Sequence, residues 1–380
     1  MQLEYDKELF CNREEEIKDI ENMVCSLNQS IPLKERIIFI FGPVGIGKTW
    51  LLRHLCYHLS SEAQPQCRAF TLYVNLTQAT SIEAIIEQIA NYVACLRGKP
   101  RLKAEKPSLD ELSRWLTMDV ENLFKEVPGR SFVLCLDSID QVSWDFLSQV
   151  EDYIIAPMLR LPSVLLLISG RRYIYPWRTP EVRLYYKTIS LKKLTPEKSE
   201  EQLKKLREKK RGWDEIQKIE WLRDALGYPW LNFLAATEEN VEEIPEKVIK
   251  LVFEDLAQNE ELLKAVEQLS ILRSFDEARI ALLVNNYARK PFAEARKLRE
   301  ELMKKGLARW VEERGGYVLD EGLKLFLEIR LQKSNPVKWV ELHQKALRFY
   351  SEWVKASKYG KIWEEEVNYH QNKLGGEENG

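Results

Sequence analysis

The segment that follows an apolar run near residue 40 carries residues that could hold a phosphate chain. It reads Gly42-Pro43-Val44-Gly45-Ile46-Gly47-Lys48-Thr49 and fits the pattern G-x-x-x-x-G-K-[ST]. Glycines let the backbone curl so that consecutive N–H groups face one anion, at the positive end of a helix that begins near Lys48. We expect Lys48 to contact the β- and γ-phosphates, Thr49 to ligate Mg²⁺, and the adjoining Trp50 to lie beside the nucleotide.

Two carboxylates follow a second apolar run and could complete a metal site. Phe132-Val133-Leu134-Cys135-Leu136 leads directly into Asp137, and Asp140 comes three residues later. A phosphate loop needs an acid on a neighbouring strand to hold the metal, so Asp137 is the candidate on the metal side. Asp140 could orient or deprotonate the attacking water. The alternative for both is an ordinary aspartate in a turn or at a helix cap.

A further apolar run ends in two cations, Arg171 and Arg172. Ligands of open α/β sheets bind at the carboxyl ends of the strands, so one cation at this edge could sense the γ-phosphate. We favour Arg171 for this role. In the alternative interpretation, both are surface arginines on the aromatic loop 173–177, which itself is more typical of a local packing cluster.

The first half of the chain alternates apolar runs with helical segments, as parallel strands joined by crossover helices do. Strands are predicted at 36–41, 69–75, 131–136, 164–169 and 185–191, and helices at 48–60, 81–96 and 144–159. Apolar runs of this kind suit strands that are covered on both faces. The predicted fold up to about residue 191 is therefore an α/β P-loop domain with a parallel sheet.

Helical periodicity dominates after Thr195-Pro196, where proline is well placed to open a helix. Helices at 261–274, 276–287 and 292–305, followed by a hairpin at 307–319 around Gly315-Gly316, predict a winged helix. We expect four domains: a P-loop domain (1–192), an all-helical lid (193–256), a winged helix (257–334) and C-terminal helices (335–380) that could begin a helical repeat.

Composition excludes several classes of protein. The 380 residues include 57 Lys and Arg and 59 Asp and Glu, a net charge of −2, so no chain-wide basic field attracts nucleic acid. No apolar stretch approaches the roughly 20 residues that a membrane helix needs. The 6 cysteines form no Cys-x-x-Cys pair, and the 4 histidines show no metal-binding spacing. We expect reduced, mostly buried thiols in a cytoplasmic protein that has no membrane contact.

The order of these motifs resembles the STAND class of P-loop ATPases, which includes the NB-ARC and NACHT families. Phe10-Cys11-Asn12-Arg13-Glu14-Glu15-Glu16 is similar to their F-x-G-R-E-x-E motif with Asn12 in place of glycine, and the resemblance implies that Asn12 and Arg13 contact the adenine side. Asp137-Ser138-Ile139-Asp140 is similar to the NACHT metal motif, although Gln141 replaces a further acid. Gly227-Tyr228-Pro229 looks like the G-x-P motif, whose proline packs on adenine.

This resemblance implies a switch controlled by a nucleotide. ADP would hold a closed monomer, and exchange for ATP would release it to self-associate or to engage a sensor or effector partner, with slow hydrolysis as a timer. The histidine that many members carry near Asp320 is absent, so that contact to ADP is not expected here. Little sequence precedes the P-loop domain, so partner chains or a longer protein are expected to supply the output.

Two other functions stay open at this stage. A DNA-associated initiator ATPase also joins an ATPase module to a winged helix, and the helix near 289–305 is rich in lysine and arginine. A transport or metabolic ATPase is the third possibility, without a membrane segment or a second substrate motif to favour it. No guanine-specific Asn-Lys-x-Asp motif occurs, so ATP and ADP are the expected nucleotides.

Overall fold

The structure is a computed structural model. It describes residues 5–62, 65–99, 107–171, 177–206, 209–219, 222, 226–284, 291–356 and 360–375. The chain divides into two compact units. The first unit contains residues 2–207 with 227–230, and the second contains 208–226 with 231–380.

A five-stranded parallel sheet forms the centre of the first unit. Its strands are β1 (Ile37–Phe41), β2 (Phe70–Asn75), β3 (Phe132–Asp137), β4 (Val164–Gly170) and β5 (Tyr186–Ser190), in the spatial order β2-β3-β4-β1-β5. The three central strands are buried almost throughout, as parallel strands with helices on both faces must be. The register pairs Asn75 with Asp137, so the polar residues that end β2 and β3 lie at one edge.

Helices cover this sheet. They are α1 (Glu14–Asn28), α2 (Lys48–Ser60), α3 (Ile82–Arg97), α4 (Leu109–Glu126), α5 (Trp144–Val150), α6 (Ala156–Leu159), α7 (Pro180–Leu184) and α8 (Pro196–Lys205). A π-helical stretch over Glu151–Ile155 connects α5 to α6, where the sequence predicted one regular helix. Pro196 opens α8 as predicted, and the Thr195 hydroxyl accepts from the Lys198 N–H.

The second unit is mostly helical. Its helices are α9 (Trp213–Gln217), most of α10 (Pro229–Thr237), α11 (Ile244–Val252), α12 (Glu254–Ala257), α13 (Glu260–Leu269), α14 (Glu277–Leu283), α15 (Pro291–Lys304), α16 (Glu321–Ser334), α17 (Pro336–Ala356) and α18 (Gly360–Gly375). Strands β6 (Ala308–Val311) and β7 (Gly316–Leu319) form an antiparallel hairpin. The backbones of Phe275 and Tyr317 also pair, which attaches the hairpin to the helices.

This arrangement of α13, α14, α15 and the hairpin matches the predicted winged helix. The hairpin turn is longer than the tight Gly315-Gly316 turn expected from the sequence, because a short helical turn occupies Glu312–Arg314 before Gly315 takes a left-handed conformation. Together with the sheet, these elements confirm the predicted order of an α/β domain followed by helical and winged-helix segments.

The predicted state of the cysteines is wrong. Cys25 on α1 forms a disulfide with Cys67, 42 residues later, in a short helical turn before β2. The Asn28 side chain ties the same two places together, since it donates to the carbonyls of Gln66 and Arg68. Of the remaining cysteines only Cys135 is buried. Sequence spacing carries no sign of this pairing because the contact arises from packing of α1 on the turn.

None of the described helices is long and apolar enough to span a bilayer.

Candidate functional site

The predicted phosphate loop connects the end of β1 to the start of α2. Gly45 and Gly47 have φ angles of 80° and 99°, values that residues other than glycine rarely adopt. A Cβ at Gly45 would also lie 3.5 Å from the Trp230 ring. The two glycines therefore allow both the curl of the loop and the close approach of another segment to its backbone.

Lys48 lies inside this curl. Its ammonium group donates to the carbonyls of Gly42 at 2.6 Å and Pro43 at 2.9 Å. The same Pro43 carbonyl accepts a longer bond, 3.4 Å, from the Ile46 N–H. The cation and one loop N–H thus converge on one place, and a phosphate oxygen there would receive both donors.

Asp137 accepts hydrogen bonds from three hydroxyl groups. Thr49 Oγ1 lies 2.7 Å from its Oδ2 atom, the Tyr73 hydroxyl lies 2.6 Å from the same oxygen, and Ser169 donates to Oδ1. Only 1% of Asp137 is exposed. Burial and the neighbouring carboxylate raise the pKa of Tyr73, which keeps its hydroxyl protonated as a donor. The structure thus brings Thr49 and Asp137, the two residues expected to hold the metal, into contact.

Tyr73 and Ser169 were not identified from the sequence. They lie on β2 and β4, the two strands that flank β3. Once the strand order is known, a hydroxyl residue near the carboxyl end of each flanking strand is a recognisable signal, but the sequence does not supply that order.

Asp140 and Arg171 contact each other. Asp140 Oδ1 accepts from the Arg171 N–H at 3.1 Å, and Oδ2 lies 3.2 Å from Arg171 Nε. Their side chains are only 3% and 9% exposed. A buried ion pair fixes the orientation of both partners, so the predicted water-activating acid and the predicted sensor cation form one unit. Arg172 and residues 173–176 of the aromatic loop lie outside the described residues.

Arg13 reaches the loop from the N-terminal segment. Its Nη2 atom donates to the carbonyls of Ile46 at 3.0 Å and Lys192 at 2.8 Å, and Glu16 lies 3.5 Å from Nη1. Burial lowers the pKa of Arg13 despite the nearby carboxylate. Asn12 and Arg13 both have positive φ, and asparagine tolerates this conformation better than most residues, which explains Asn12 in place of glycine.

The Gly227–Trp230 segment also contacts the loop. The Trp230 N–H donates to the Gly45 carbonyl at 3.3 Å, and a Cβ at Gly47 would lie 3.7 Å from Pro229 Cγ. Trp50, in contrast, packs edge-on against Tyr5 with 5.6 Å between ring centroids. Pro229 therefore lies beside the phosphate loop, and a nucleotide contact by Pro229, Trp50 or Asn12 stays a prediction.

The oxygen atoms of Thr49 and Asp137 suit Mg²⁺. This ion prefers hard oxygen ligands and keeps several waters and substrate phosphates, so one or two protein ligands suffice. The described part of the chain has no group of three or more His, Cys, Asp and Glu side chains placed to hold a metal. The two oxygen ligands of Thr49 and Asp137 fit a magnesium ion that arrives with a nucleotide.

Comparison with known proteins identifies the domain around this site. Residues 9–153 match the AAA ATPase domain family. No protein of curated function matches the chain. The fold is similar to that of the ORC2 protein of Aeropyrum pernix, with a TM-score of 0.53, 14% identity and coverage of 85% of this chain and 94% of that one.

Two further structures align with lower scores. The STAND protein with a tetratricopeptide repeat sensor from Pyrococcus horikoshii has a TM-score of 0.39, 18% identity and coverage of 99% of this chain and 50% of that one. The chain thus spans half the length of that STAND protein. CDC6P from Pyrobaculum aerophilum has a TM-score of 0.45, 17% identity and coverage of 88% and 97%.

The matched domain confirms the sequence-based identification of a P-loop ATPase. The predicted α/β fold followed by helical domains is confirmed as well. Residues 9–153 therefore match a nucleotide-binding ATPase domain.

Proposed function

We propose that the chain is an ATP- and ADP-binding switch with slow, Mg²⁺-dependent hydrolysis, of the kind found among STAND signalling ATPases of the NACHT and NB-ARC type. The observation that carries this proposal is the meeting of Lys48, Thr49 and Asp137 at the curl between β1 and α2. A phosphate chain in the curl would draw the Lys48 ammonium from the Gly42 and Pro43 carbonyls. The bound magnesium ion would be held by Thr49 and Asp137 and would neutralise charge on the phosphates.

The Asp140 and Arg171 pair supports a slow turnover. In this pair the carboxylate is engaged by a guanidinium group rather than aimed freely at a water molecule. We propose that Asp140 mainly orients Arg171 toward the γ-phosphate and that Asp140 takes part in water activation only when this contact loosens. A hydrolysis step that requires such a rearrangement suits a timer.

Contacts of the Gly227–Trp230 segment support control of the rest of the chain by the nucleotide. This segment touches the loop at Gly45 and Gly47, and α10 continues from it into the residues of the second unit. A nucleotide can shift a conformational equilibrium only by binding two states with different affinities. The contact between the phosphate loop and the start of α10 would give that difference if it is made in one state and lost in the other.

Nucleotide binding is tested first with Lys48→Ala. Calorimetry should show that the wild-type protein binds ADP and ATP and that the variant loses measurable affinity, because the main cation on the phosphates is gone. Lys125→Ala on the exposed side of α4 is the matched control and should bind normally. Unchanged affinity in Lys48→Ala would refute the assignment of the loop.

The switch itself is tested by mass. Light scattering with ADP and with a non-hydrolysable ATP analogue, alone and with any activating partner, should give a monomer with ADP and a larger species with the analogue. Equal masses under all these conditions would refute the proposed switch but not the proposed ATP hydrolysis.

The DNA-binding alternative receives little support from α15. Arg296 forms an ion pair with Glu300, and Arg299 pairs with Glu277 and Glu300. Guanidinium groups that are bound to carboxylates of the same chain are less available to phosphates. Arg289 and Lys290, which contributed to this alternative, lie outside the described residues.

A further inference from the structure

Two successive carbonyl groups of the phosphate loop accept hydrogen bonds from donors outside the loop. The Gly45 carbonyl accepts from the Trp230 N–H at 3.3 Å, and the Ile46 carbonyl accepts from Arg13 Nη2 at 3.0 Å. We call these two contacts, made by Arg13 and Trp230, the rear clamp. The donors come from distant places in the sequence, one before β1 and the other after α8.

The rear clamp fixes the direction of two N–H groups. In a trans peptide the C=O and N–H bonds point in opposite directions, and the described residues contain no cis peptide. Holding the carbonyls of Gly45 and Ile46 therefore turns the N–H groups of Ile46 and Gly47 away from the clamp. The Ile46 N–H indeed faces the Pro43 carbonyl, where Lys48 also donates. The Ile46 N–H thus points to the side on which the phosphate-binding cation lies, and the Gly47 N–H points away from Arg13.

The loop needs such a restraint because its glycines make it permissive. Gly45 and Gly47 flank Ile46, and both have positive φ. A peptide beside glycine can turn over through opposite rotations of the two adjoining dihedral angles at little steric cost. A turned peptide would present a carbonyl oxygen, rather than an N–H group, to the phosphates.

Both parts of the clamp are themselves fixed. Arg13 is 7% exposed and also binds the Lys192 carbonyl. On the other side, Gln202 donates to the Pro229 carbonyl at 2.8 Å, and the Gly227 carbonyl accepts from the Leu194 N–H at 2.8 Å. The rear clamp is therefore itself fixed in place and can hold the loop in one conformation.

We propose that Arg13 and Trp230 are positioning residues that hold the Ile46 and Gly47 N–H groups toward the phosphates of the nucleotide. This inference rests on the proposed nucleotide binding and adds to it the elements that keep the loop ready to bind. It gives Arg13 a role on the rear of the loop, whereas the sequence motif implied contact with the adenine side.

The helix start at Trp230 permits a variant that removes the donor. Trp230 is the second residue of α10, where the N–H has no partner within the helix and proline is tolerated. Pro245 occupies the same position in α11 of this chain. Trp230→Pro removes both the N–H and the indole, whereas Trp230→Ala keeps the N–H and removes only the ring. Arg13→Met and Arg13→Lys form the second pair, since lysine retains one cationic donor.

The measurements are the affinity for ADP, the affinity for adenosine by displacement of a fluorescent ADP analogue, and the melting temperature without nucleotide. Trp230→Pro and Arg13→Met should each weaken ADP binding about tenfold or more, which corresponds to about 1.4 kcal/mol. Trp230→Ala and Arg13→Lys should lose less. Adenosine affinity should stay at the wild-type value because adenosine has no phosphate to receive the oriented N–H groups.

Arg309→Met, on exposed β6, is the control for loss of an arginine and should leave both affinities unchanged. Equal losses of ADP and adenosine affinity, or normal ADP affinity in both Trp230→Pro and Arg13→Met, would overturn the rear clamp while Lys48→Ala still abolishes binding. A wild-type protein that binds no ADP would instead overturn the proposed function itself.

Discussion

Asp137 and Asp140 lie three residues apart but have different partners. Asp137 accepts three hydroxyl groups, including that of Thr49, whereas Asp140 binds the Arg171 guanidinium. A carboxylate surrounded by hydroxyl donors can offer its oxygen atoms to a metal ion. A carboxylate in an ion pair instead orients its cationic partner, here the Arg171 side chain. The difference in partners therefore predicts a difference in what each acid does.

Asp137→Asn should abolish the dependence of ATP affinity on Mg²⁺. The amide group supplies N–H donors where the native oxygen atoms face hydroxyl groups and the expected ion, so the metal loses a charged ligand. Calorimetric titrations of ATP in magnesium and in EDTA should then give equal affinities, whereas they differ in the wild-type protein. Asp145→Asn, at an exposed position of α5, serves as the control, and a magnesium effect that persists in Asp137→Asn would contradict the assignment.

Asp140→Leu should destabilise the first unit by about 3–5 kcal/mol, since it leaves a buried guanidinium group without its carboxylate. The double variant Asp140→Leu/Arg171→Met should recover most of that loss, because the guanidinium group that lost this carboxylate is removed as well. ATP turnover should be lower than in the wild-type protein for both variants, since Asp140 is absent from both. Urea unfolding and steady-state hydrolysis check the two effects, and normal turnover by the double variant would exclude the pair from the reaction.

At the scale of elements, the sequence predicted those parts of the fold that local pattern determines. Strand β1 and helix α2 agree with the predictions within one residue, because an apolar run and the glycine-rich turn mark their limits. Helices α1 and α4 were not predicted. Other contacts depend on how distant segments pack, which local sequence patterns do not show. Tyr73 and Ser169 reach Asp137 because of the strand order. Arg13 reaches Ile46 because the N-terminal segment packs beside the phosphate loop.

The Cys25–Cys67 disulfide should stabilise the first unit by about 4 kcal/mol, since it closes a loop of 42 residues in the unfolded chain. Dithiothreitol, or the double variant Cys25→Ser/Cys67→Ser, should therefore lower the free energy of unfolding measured in urea. Cys95→Ser, which removes an exposed free thiol, is the control and should have little effect. Equal stability of the oxidised protein and the double variant would show that packing of α1 alone holds the turn.

Helices α17 and α18 contain a histidine pair that should make the second unit sensitive to acid. His343 and His370 lie 2.8 Å apart through their Nδ1 atoms, and both are fully buried. Burial, together with nearby positive charge, lowers the pKa of each from 6.5 to about 3. The unfolded chain then binds more protons than the folded one below pH 6.5, so stability falls as pH decreases toward 3, by about 1.4 kcal/mol per pH unit for each histidine.

His370→Gln should roughly halve this slope, because one of the two protons is no longer taken up. Hydrogen exchange of the α17 and α18 amides reports the stability of the second unit alone. The result is therefore separate from the titration of His54 in the first unit, whose pKa is also lowered by burial. Burial raises the pKa of Glu366, which acts in the opposite direction, but this contribution is common to both proteins and cancels in the difference. Equal slopes for the variant and the wild-type protein would contradict the neutral histidine pair.

At the scale of the whole molecule, the charge distribution favours the proposed switch over a DNA-bound initiator. The net charge is −2, and the arginines of α15 form ion pairs within the chain. Specific binding to a duplex releases counterions, so affinity falls with salt with a slope close to the number of phosphates contacted. We expect fluorescence anisotropy with a DNA duplex to show weak binding at low salt and none at physiological salt, in the presence of either ADP or an ATP analogue. Binding that persists, with a slope of about −5 or steeper, would favour the initiator function; Arg296→Ala and Lys297→Ala would then locate the contact on α15.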